Sequence, residues 1–406
     1  MGRFIINGGK RLSGEIVIDG SKNAVLPIIF SCILAKGVSV IDNLPEIADV
    51  DVALRILLDF GAVIERCPRQ VRIDTRNLAY KVPNDELVLK IRASSYLIGA
   101  CLSRFGRAKI QRFGGCNFDA RPIDMHIYAA EALGAALSGD ELIADKLHGG
   151  NIYFKNVSVG ATVNAILLAV SADGRSRIYG YAREPHVISL IDFLKSGGAD
   201  INVEPEYIEI FGRTVTDSHA EIIPDMIEAG TYIALSLMTD SRIKIFGADE
   251  SQLDSFIEAL KKSGAKIKSE GGYMIPEGNL AYYADIVTAP YPAFPTDLQP
   301  QTAALLAVAS GGRITEGVWH NRFGYLDELS KFGVCSIRGD GYAEIIKSKI
   351  NPANATSPDL RGGAALLMCA LYADGESVIE KSEIIKRGYG NITEKLRRIG
   401  ADIKEL

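Results

Sequence analysis

The chain predicts an α/β fold in two domains, each built from three copies of a βαβαββ unit. Three observations predict it. The first is size: 406 residues, 47% hydrophobic and 23% charged, are ordinary globular composition but too many for one compact core, which suits about two domains. The second is an internal repeat. Six times a helix of small and apolar residues is followed by glycine and a short β-branched strand, then by an amphipathic helix that ends in Gly before another strand. The closing glycines, Gly61, Gly134, Gly198, Gly264, Gly333 and Gly400, lie 73, 64, 66, 69 and 67 residues apart, a regularity that marks a repeated unit. The third is the character of the first helix in each unit, which has no polar side.

Each element follows from its residues. The first helices begin near Lys22, Arg92, Ser158, Glu228, Asp297 and Arg361, and a helix apolar on every face lies inside a core. A solenoid with one open face would expose such helices, so closed three-unit domains are the better account. The second helices stop at glycines suited to the left-handed turn that ends a helix, and the Ala-Asp-Ile or Ala-Lys-Ile alternation that follows starts a strand. The break between triplets falls near residues 220–228, and the expected active site is a cleft between the two domains. If the buried helices aim their N-termini at that cleft, it attracts anions.

Bulk features narrow the function. The N-terminus, Met1-Gly2-Arg3-Phe4-Ile5-Ile6, lacks a signal-peptide core and a myristoylation motif, so the expected location is cytoplasmic. The longest apolar run, Ala24 to Ala35, is interrupted by Pro27 and Ser31 and falls short of the ~20 residues that span a bilayer; no membrane partner is expected. A net charge of −5 argues against nucleic acid. Six scattered cysteines, Cys32, Cys67, Cys101, Cys116, Cys335 and Cys369, show no metal-ligand or disulfide spacing, so no metal site is called for, and no protein partner is implied.

Chemistry-bearing residues gather at the starts of the apolar helices and in one Gly-rich loop. Ser21-Lys22-Asn23 opens the first helix; alone, Lys22 reads as a solvated helix boundary. Arg92 and Arg361 interrupt apolar stretches at comparable places in their units, and each alone could be a paired structural arginine. In Gln111-Arg112-Phe113-Gly114-Gly115-Cys116 a thiol follows two glycines and lies between Arg112 and Arg121, which favours an accessible thiol of lowered pKa. The other five cysteines read as buried small hydrophobes. Asp297 ends a proline-dense stretch, Pro290 to Pro295, at the start of a buried helix; it fits an N-cap, or a carboxylate fixed for catalysis by a stiff loop.

These motifs together, Ser21-Lys22-Asn23-Ala24, Gly114-Gly115-Cys116, Ala120-Arg121-Pro122-Ile123-Asp124, Val157-Ser158-Val159-Gly160-Ala161-Thr162, Ala182-Arg183-Glu184-Pro185, Phe294-Pro295-Thr296-Asp297, Asn321-Arg322-Phe323, Asp359-Leu360-Arg361 and Arg387-Gly388-Tyr389, span the chain. On them it resembles the UDP-N-acetylglucosamine 1-carboxyvinyltransferase family within the EPSP synthase-like enolpyruvyl transferases. The resemblance implies a two-domain inverted αβ pseudo-barrel of six βαβαββ repeats, with residues 21–226 as the domain carrying the cysteine loop and residues 1–20 and 227–406 as the other. It implies transfer of the enolpyruvyl group of phosphoenolpyruvate to the 3′-hydroxyl of UDP-N-acetylglucosamine, the first committed step of peptidoglycan synthesis, with no metal or organic cofactor.

Residue by residue, the resemblance assigns the phosphate of phosphoenolpyruvate to Lys22, Arg121 and Arg387 and its carboxylate to Arg322 and Arg361, with Asn23 alongside. Cys116 becomes the general acid and the target of fosfomycin and Asp297 the base for the sugar hydroxyl, with Lys22 and Arg387 completing the catalytic set. Nucleotide contacts fall on Asn23, Arg92, Arg121, Pro122, Ile123, Asp124, Met125, Ser158, Val159, Gly160, Asp297 and Val318. Three places depart from the family pattern: Asn156 where lysine is usual, Met226 in place of arginine, and Asn117-Phe118-Asp119 in the loop. They bear on nucleotide affinity and loop motion and leave open another nucleotide or sugar acceptor. Shikimate 3-phosphate fits poorly, because the Cys116 loop has no counterpart there. A non-catalytic nucleotide-binding paralogue would have lost Cys116, Asp297 or some of the cations, and all are present.

Overall fold

The computed structural model describes residues 2–114, 122–278 and 280–406. Cys116 and Arg121, with the departures at Asn117 to Asp119, lie outside them. The apolar helices form where the sequence places them: Lys22–Ser31, Leu97–Phe105, Val159–Ser171, Met226–Met238, Gln299–Val308 and Leu360–Tyr372. Short 3₁₀ turns, Arg92–Tyr96 and Thr296–Leu298, lead into the second and fifth, so Arg92 and Asp297 belong to entry turns and not to the α-helices proper. Ser158, Asp225 and Asp359 cap three others through their side chains, satisfying N–H groups that have no partner inside the helix.

All six repeat glycines have φ between +95° and +112°, the left-handed region that side chains resist and that ends a helix sharply. Each unit then wraps its helices with a small sheet. Among the described residues there are five four-stranded sheets and one three-stranded sheet. In each four-stranded sheet a parallel pair sits beside antiparallel partners, as where Ala284–Thr288 runs parallel to Gly312–Glu316, which pairs antiparallel with Tyr342–Ile346. Among the described residues, the sheet of the second unit, Arg107–Lys109 with Glu141–Ile143 and Ala136–Ser138, has no parallel strand.

The chain resolves into two compact units. One holds residues 20–114 and 122–223, around the Lys22–Ser31, Leu97–Phe105 and Val159–Ser171 helices. Gly99 lies where a Cβ would come within 2.8 Å of the Asn164 Oδ1 atom, so the two helices approach through a residue with no side chain. The other unit holds residues 2–19 and 224–406. There the N-terminal strand Arg3–Asn7 inserts between Glu376–Glu380 and Asp402–Glu405, antiparallel to both, and Ser13–Val17 runs parallel to Arg242–Phe246. Its core packs the Met226–Met238, Gln299–Val308 and Leu360–Tyr372 helices, buried on nearly every face.

Two cysteines correct the expectation that all but Cys116 are buried. Cys67 and Cys335 are exposed, while Cys32, Cys101 and Cys369 are buried. Both exceptions sit on the edge strands Val63–Cys67 and Cys335–Gly339, which are exposed along most of their length.

Candidate active site

In the unit of residues 20–114 and 122–223, Lys22 is the first residue of its helix and its Nζ lies 2.8 Å from the Asp49 Oδ2 atom, with side chains 12% and 3% exposed. Asp49 is held in the first turn of the Ala48–Asp59 helix, where the helix dipole favours a carboxylate. Sequence reasoning missed it, because an acidic residue in a first turn has an ordinary explanation. Asn23 follows on the same turn, partly exposed. Arg92 is half-buried, and burial lowers its pKa from the usual guanidinium value.

Nearby, Asp124 opens the Asp124–Ala132 helix, and Met125 precedes His126, which is buried. Burial and then the Arg92 charge push the imidazole down to about 4, so it is neutral at physiological pH. Asn164 orders this region. Its amide donates to the Ser95 and Gly160 carbonyls at 3.2 and 3.1 Å and lies 3.2 Å from His126 Nδ1, while its oxygen accepts from Gly99 N–H at 2.6 Å. An asparagine in the otherwise apolar run Val163–Val170 was the signal that could have found it. Ser158 accepts from Ala161 N–H at 3.3 Å as N-cap, which leaves Val159 and Gly160 in the first turn, partly exposed. Pro122 and Ile123 lead into the Asp124–Ala132 helix.

In the other unit the structure brings Asp297, Arg322 and Arg361 together. Asp297 Oδ1 accepts from Arg322 Nη1 at 2.8 Å; Oδ2 accepts from Arg361 Nε at 3.2 Å, with Nη2 at 3.1 Å. The two guanidinium side chains are 4% and 3% exposed, the carboxylate 30%. Burial alone would raise the pKa of Asp297, but the charges and hydrogen bonds of the arginines outweigh it and hold the carboxyl well below the usual range. Burial likewise works against the charge on both arginines; for Arg322 the Asp297 carboxylate, and for Arg361 Tyr389 and then Asp297, raise the pKa past it.

A buried polar chain continues from this cluster. The Arg361 guanidinium lies over the Tyr389 ring, 5.5 Å from its centroid, and the Tyr389 hydroxyl meets Thr231 Oγ1 at 2.9 Å and Gln301 Nε2 at 3.1 Å. One residue from each of the three core helices thus contributes to one hydrogen-bonded set. Arg387 lies just past the Ser382–Ile385 helix, partly exposed, and Val318 is in the turn after the Gly312–Glu316 strand. Each unit therefore carries a cation at the start of a core helix, engaged by an internal carboxylate, which is a chemistry for binding anions by exchange.

Comparison with known proteins gives a consistent set. Residues 6–396 match the sequence profile of the family described as EPSP synthase (3-phosphoshikimate 1-carboxyvinyltransferase). The chain is 41% identical to UDP-N-acetylglucosamine 1-carboxyvinyltransferase 3 of Caldanaerobacter subterraneus subsp. tengcongensis, covering 99% of each chain. It is 40% identical to UDP-N-acetylglucosamine 1-carboxyvinyltransferase of Halothermothrix orenii, covering 100% of both. Among solved structures, the enolpyruvyl transferase NikO from Streptomyces tendae superposes with a TM-score of 0.88 at 25% identity, over 100% of this chain and 99% of that one. EPSP synthase from Acinetobacter baumannii shares the fold, with a TM-score of 0.72 at 18% identity over the whole of both chains.

Proposed function

Because this chain belongs to the EPSP synthase family, and within it to the UDP-N-acetylglucosamine 1-carboxyvinyltransferases, we propose that it transfers the enolpyruvyl group of phosphoenolpyruvate to the 3′-hydroxyl of UDP-N-acetylglucosamine. The reaction releases inorganic phosphate and begins peptidoglycan synthesis. One observation in the structure carries the reading furthest: two buried guanidiniums already grip a carboxylate, that of Asp297. Arg322 and Arg361 are the residues assigned to the carboxylate of phosphoenolpyruvate, so an internal group of the same chemistry occupies the place proposed for the substrate's.

In this reading Lys22, Arg121 and Arg387 hold the phosphate, with Asn23 beside them. Cys116 protonates the methylene carbon, Asp297 takes the proton of the 3′-hydroxyl, and the sugar oxygen bonds to C2. The tetrahedral ketal then gives a methyl proton back to the deprotonated Cys116 as the C2–O bond to phosphate breaks and the double bond re-forms, and the departing phosphate takes up the proton held by Asp297. Proton transfer and anion stabilisation suffice for both halves. Arg92, Arg121 to Met125, Ser158 to Gly160 and Val318 are assigned to the nucleotide, together with Asn23 and Asp297. Asp297 can act as a base only after its guanidinium contacts loosen, because their hold depresses its basicity. The reading places the enzyme in the cytoplasm, and no helix of the described residues is long and apolar enough to cross a membrane.

The test is phosphate release from phosphoenolpyruvate with UDP-N-acetylglucosamine, UDP, UMP or no acceptor. Turnover with UDP-N-acetylglucosamine alone is the expected result. Turnover that prefers another acceptor, or none with any, overturns the assignment.

A further inference from the structure

Glu316 belongs to none of the groups assigned above, yet it is the most heavily engaged carboxylate in its unit's site. It ends the Gly312–Glu316 strand, directly opposite Thr288 at the end of the neighbouring parallel strand, and is 4% exposed. One oxygen, Oε1, accepts from the Thr288 hydroxyl at 2.7 Å and from the backbone N–H groups of Val318 and Trp319 at 2.9 and 3.0 Å. The other, Oε2, accepts from the Thr296 hydroxyl at 2.9 Å. Thr296 Oγ1 in turn accepts from Arg322 Nη1 at 2.9 Å, the same nitrogen that donates to Asp297.

The two strands deliver the two loops of the site: one runs from Thr288 to Thr296 and Asp297, the other from Glu316 through Val318 to Arg322. Four donors converge on one side chain from both. A carboxylate fits because it only accepts, which forces Thr296 to donate its hydroxyl proton to Oε2 and keeps its lone pairs for Arg322. A glutamine at this place would present an N–H where Thr296 now donates.

We propose that Glu316 is a positioning residue for the transfer reaction, holding the Val318–Arg322 loop in register with the Thr296–Asp297 loop through its two carboxylate oxygens. The proposal rests on the function assigned above. Its two arms have separable effects. Oε1 shapes the turn that carries Val318, assigned to the nucleotide, and Oε2 orients Arg322, assigned to the substrate carboxylate, against Asp297, assigned as the base.

The chain's single tryptophan, Trp319, reports on the Oε1 arm without turnover. Thr296→Val, which cuts only the Oε2 arm, is expected to lower kcat roughly tenfold with the KM for UDP-N-acetylglucosamine and Trp319 emission unchanged; Thr296→Ser restores kcat. Glu316→Ala is expected to lower kcat on the order of a hundredfold, the scale of a small misplacement of reacting groups, to raise the nucleotide KM and to shift Trp319 emission. The double variant should be no slower than Glu316→Ala. A Glu316→Ala enzyme with wild-type kcat and KM, or a double variant slower by the product of the single losses, overturns the proposal. If the alanine variant does not fold, Glu316→Gln decides: a lowered kcat supports it and wild-type kinetics refute it. Should the wild-type enzyme show no turnover at all, the assigned function fails while the positioning role is still judged by amide hydrogen exchange at residues 317–319. Protection lost in Glu316→Ala and retained in Glu316→Gln supports the role; protection unchanged in Glu316→Ala refutes it.

Discussion

Replacing Asp297 by asparagine separates its observed grip on Arg322 and Arg361 from the base role proposed for it. The side chain keeps its shape but offers one accepting oxygen where two now serve Arg322 and Arg361 at 2.8 and 3.2 Å, and its amide N–H faces a guanidinium that can only donate. The arginines are 4% and 3% exposed, so solvent does little to compensate. Removing one partner of a buried, hydrogen-bonded ion pair costs about 3–5 kcal/mol, and the free Asp297→Asn protein should unfold with a stability lower by roughly that amount. The same loss makes the pair of arginines a better receptor, because an incoming carboxylate no longer competes with an internal one. We expect phosphoenolpyruvate to bind the variant more tightly, on the order of tenfold or more, and to recover much of the lost stability on binding. Turnover should fall by about 10²–10⁴ with the base removed. Calorimetric titration with phosphoenolpyruvate and denaturant unfolding with and without it measure both effects. The depressed pKa sets the pH dependence: Asp297 contributes stability above its unfolded value and loses it only as pH falls through the lower folded value. The stability gap between wild type and variant should therefore stay constant from pH 5 to 8. Weaker binding of phosphoenolpyruvate by Asp297→Asn, or near-normal turnover, would refute the idea that Asp297 stands in for a substrate carboxylate.

Lys395 holds two carboxylates, with its Nζ 2.6 Å from Glu228 and 2.7 Å from Asp19. Lys395→Met should cost about 3–5 kcal/mol by leaving buried charge unpaired, read as lost amide protection in residues 224–240; unchanged protection would refute it. Burial pushes Glu228 up to about 7 against the pull of Lys395, so its stabilising share is complete below an ordinary glutamate pKa and lost as pH rises through about 7. Wild type should lose stability relative to Glu228→Gln between those limits, and a gap that widens with pH in the opposite sense would count against the shift. The exposure of Cys67 and Cys335 changes what thiol labelling can show: iodoacetamide should modify both whether or not substrates are present. Fosfomycin, which needs cations to hold its phosphonate, should map to Cys116 alone, and an adduct on Cys67 or Cys335 without one on Cys116 would remove Cys116 from its assigned role.

The fold was legible because its signals are local and repeated. Six helices with no polar side and six glycines at left-handed turns are visible residue by residue, and each appears in the structure where the pattern places it. That the described residues of the second unit form only a three-stranded, all-antiparallel sheet was not visible, since the repeat fixes helices better than short edge strands. The cations of the candidate site were legible for a similar reason: Arg92 and Arg361 interrupt apolar runs, while Lys22, which opens one, reads alone as a solvated helix boundary. Their partners were not, because Asp49 in a first helical turn and Glu316 at a strand end look like solvated residues until folding buries them to 2% and 4% exposure. Cys67 and Cys335 failed in the opposite direction, as a residue type that is usually buried landed on exposed edge strands.

On the proposed assignments, the internal carboxylates also explain how an acidic protein keeps the cations assigned to the substrate ready. Lys22, Arg322 and Arg361 are largely buried, and buried cations without partners would be costly in the empty enzyme. Asp49 and Asp297 meet that cost from within each unit, so both stay folded before any substrate arrives. An anionic substrate then gains only the difference between its own contacts and those it displaces. Recognition by exchange favours a ligand that offers several anionic groups at once, as phosphoenolpyruvate does with phosphate and carboxylate, over a simple anion that replaces one internal carboxylate and breaks even. It also couples binding to chemistry, since the carboxylate set free by exchange at Arg322 and Arg361 is the group assigned to remove the proton from the acceptor hydroxyl.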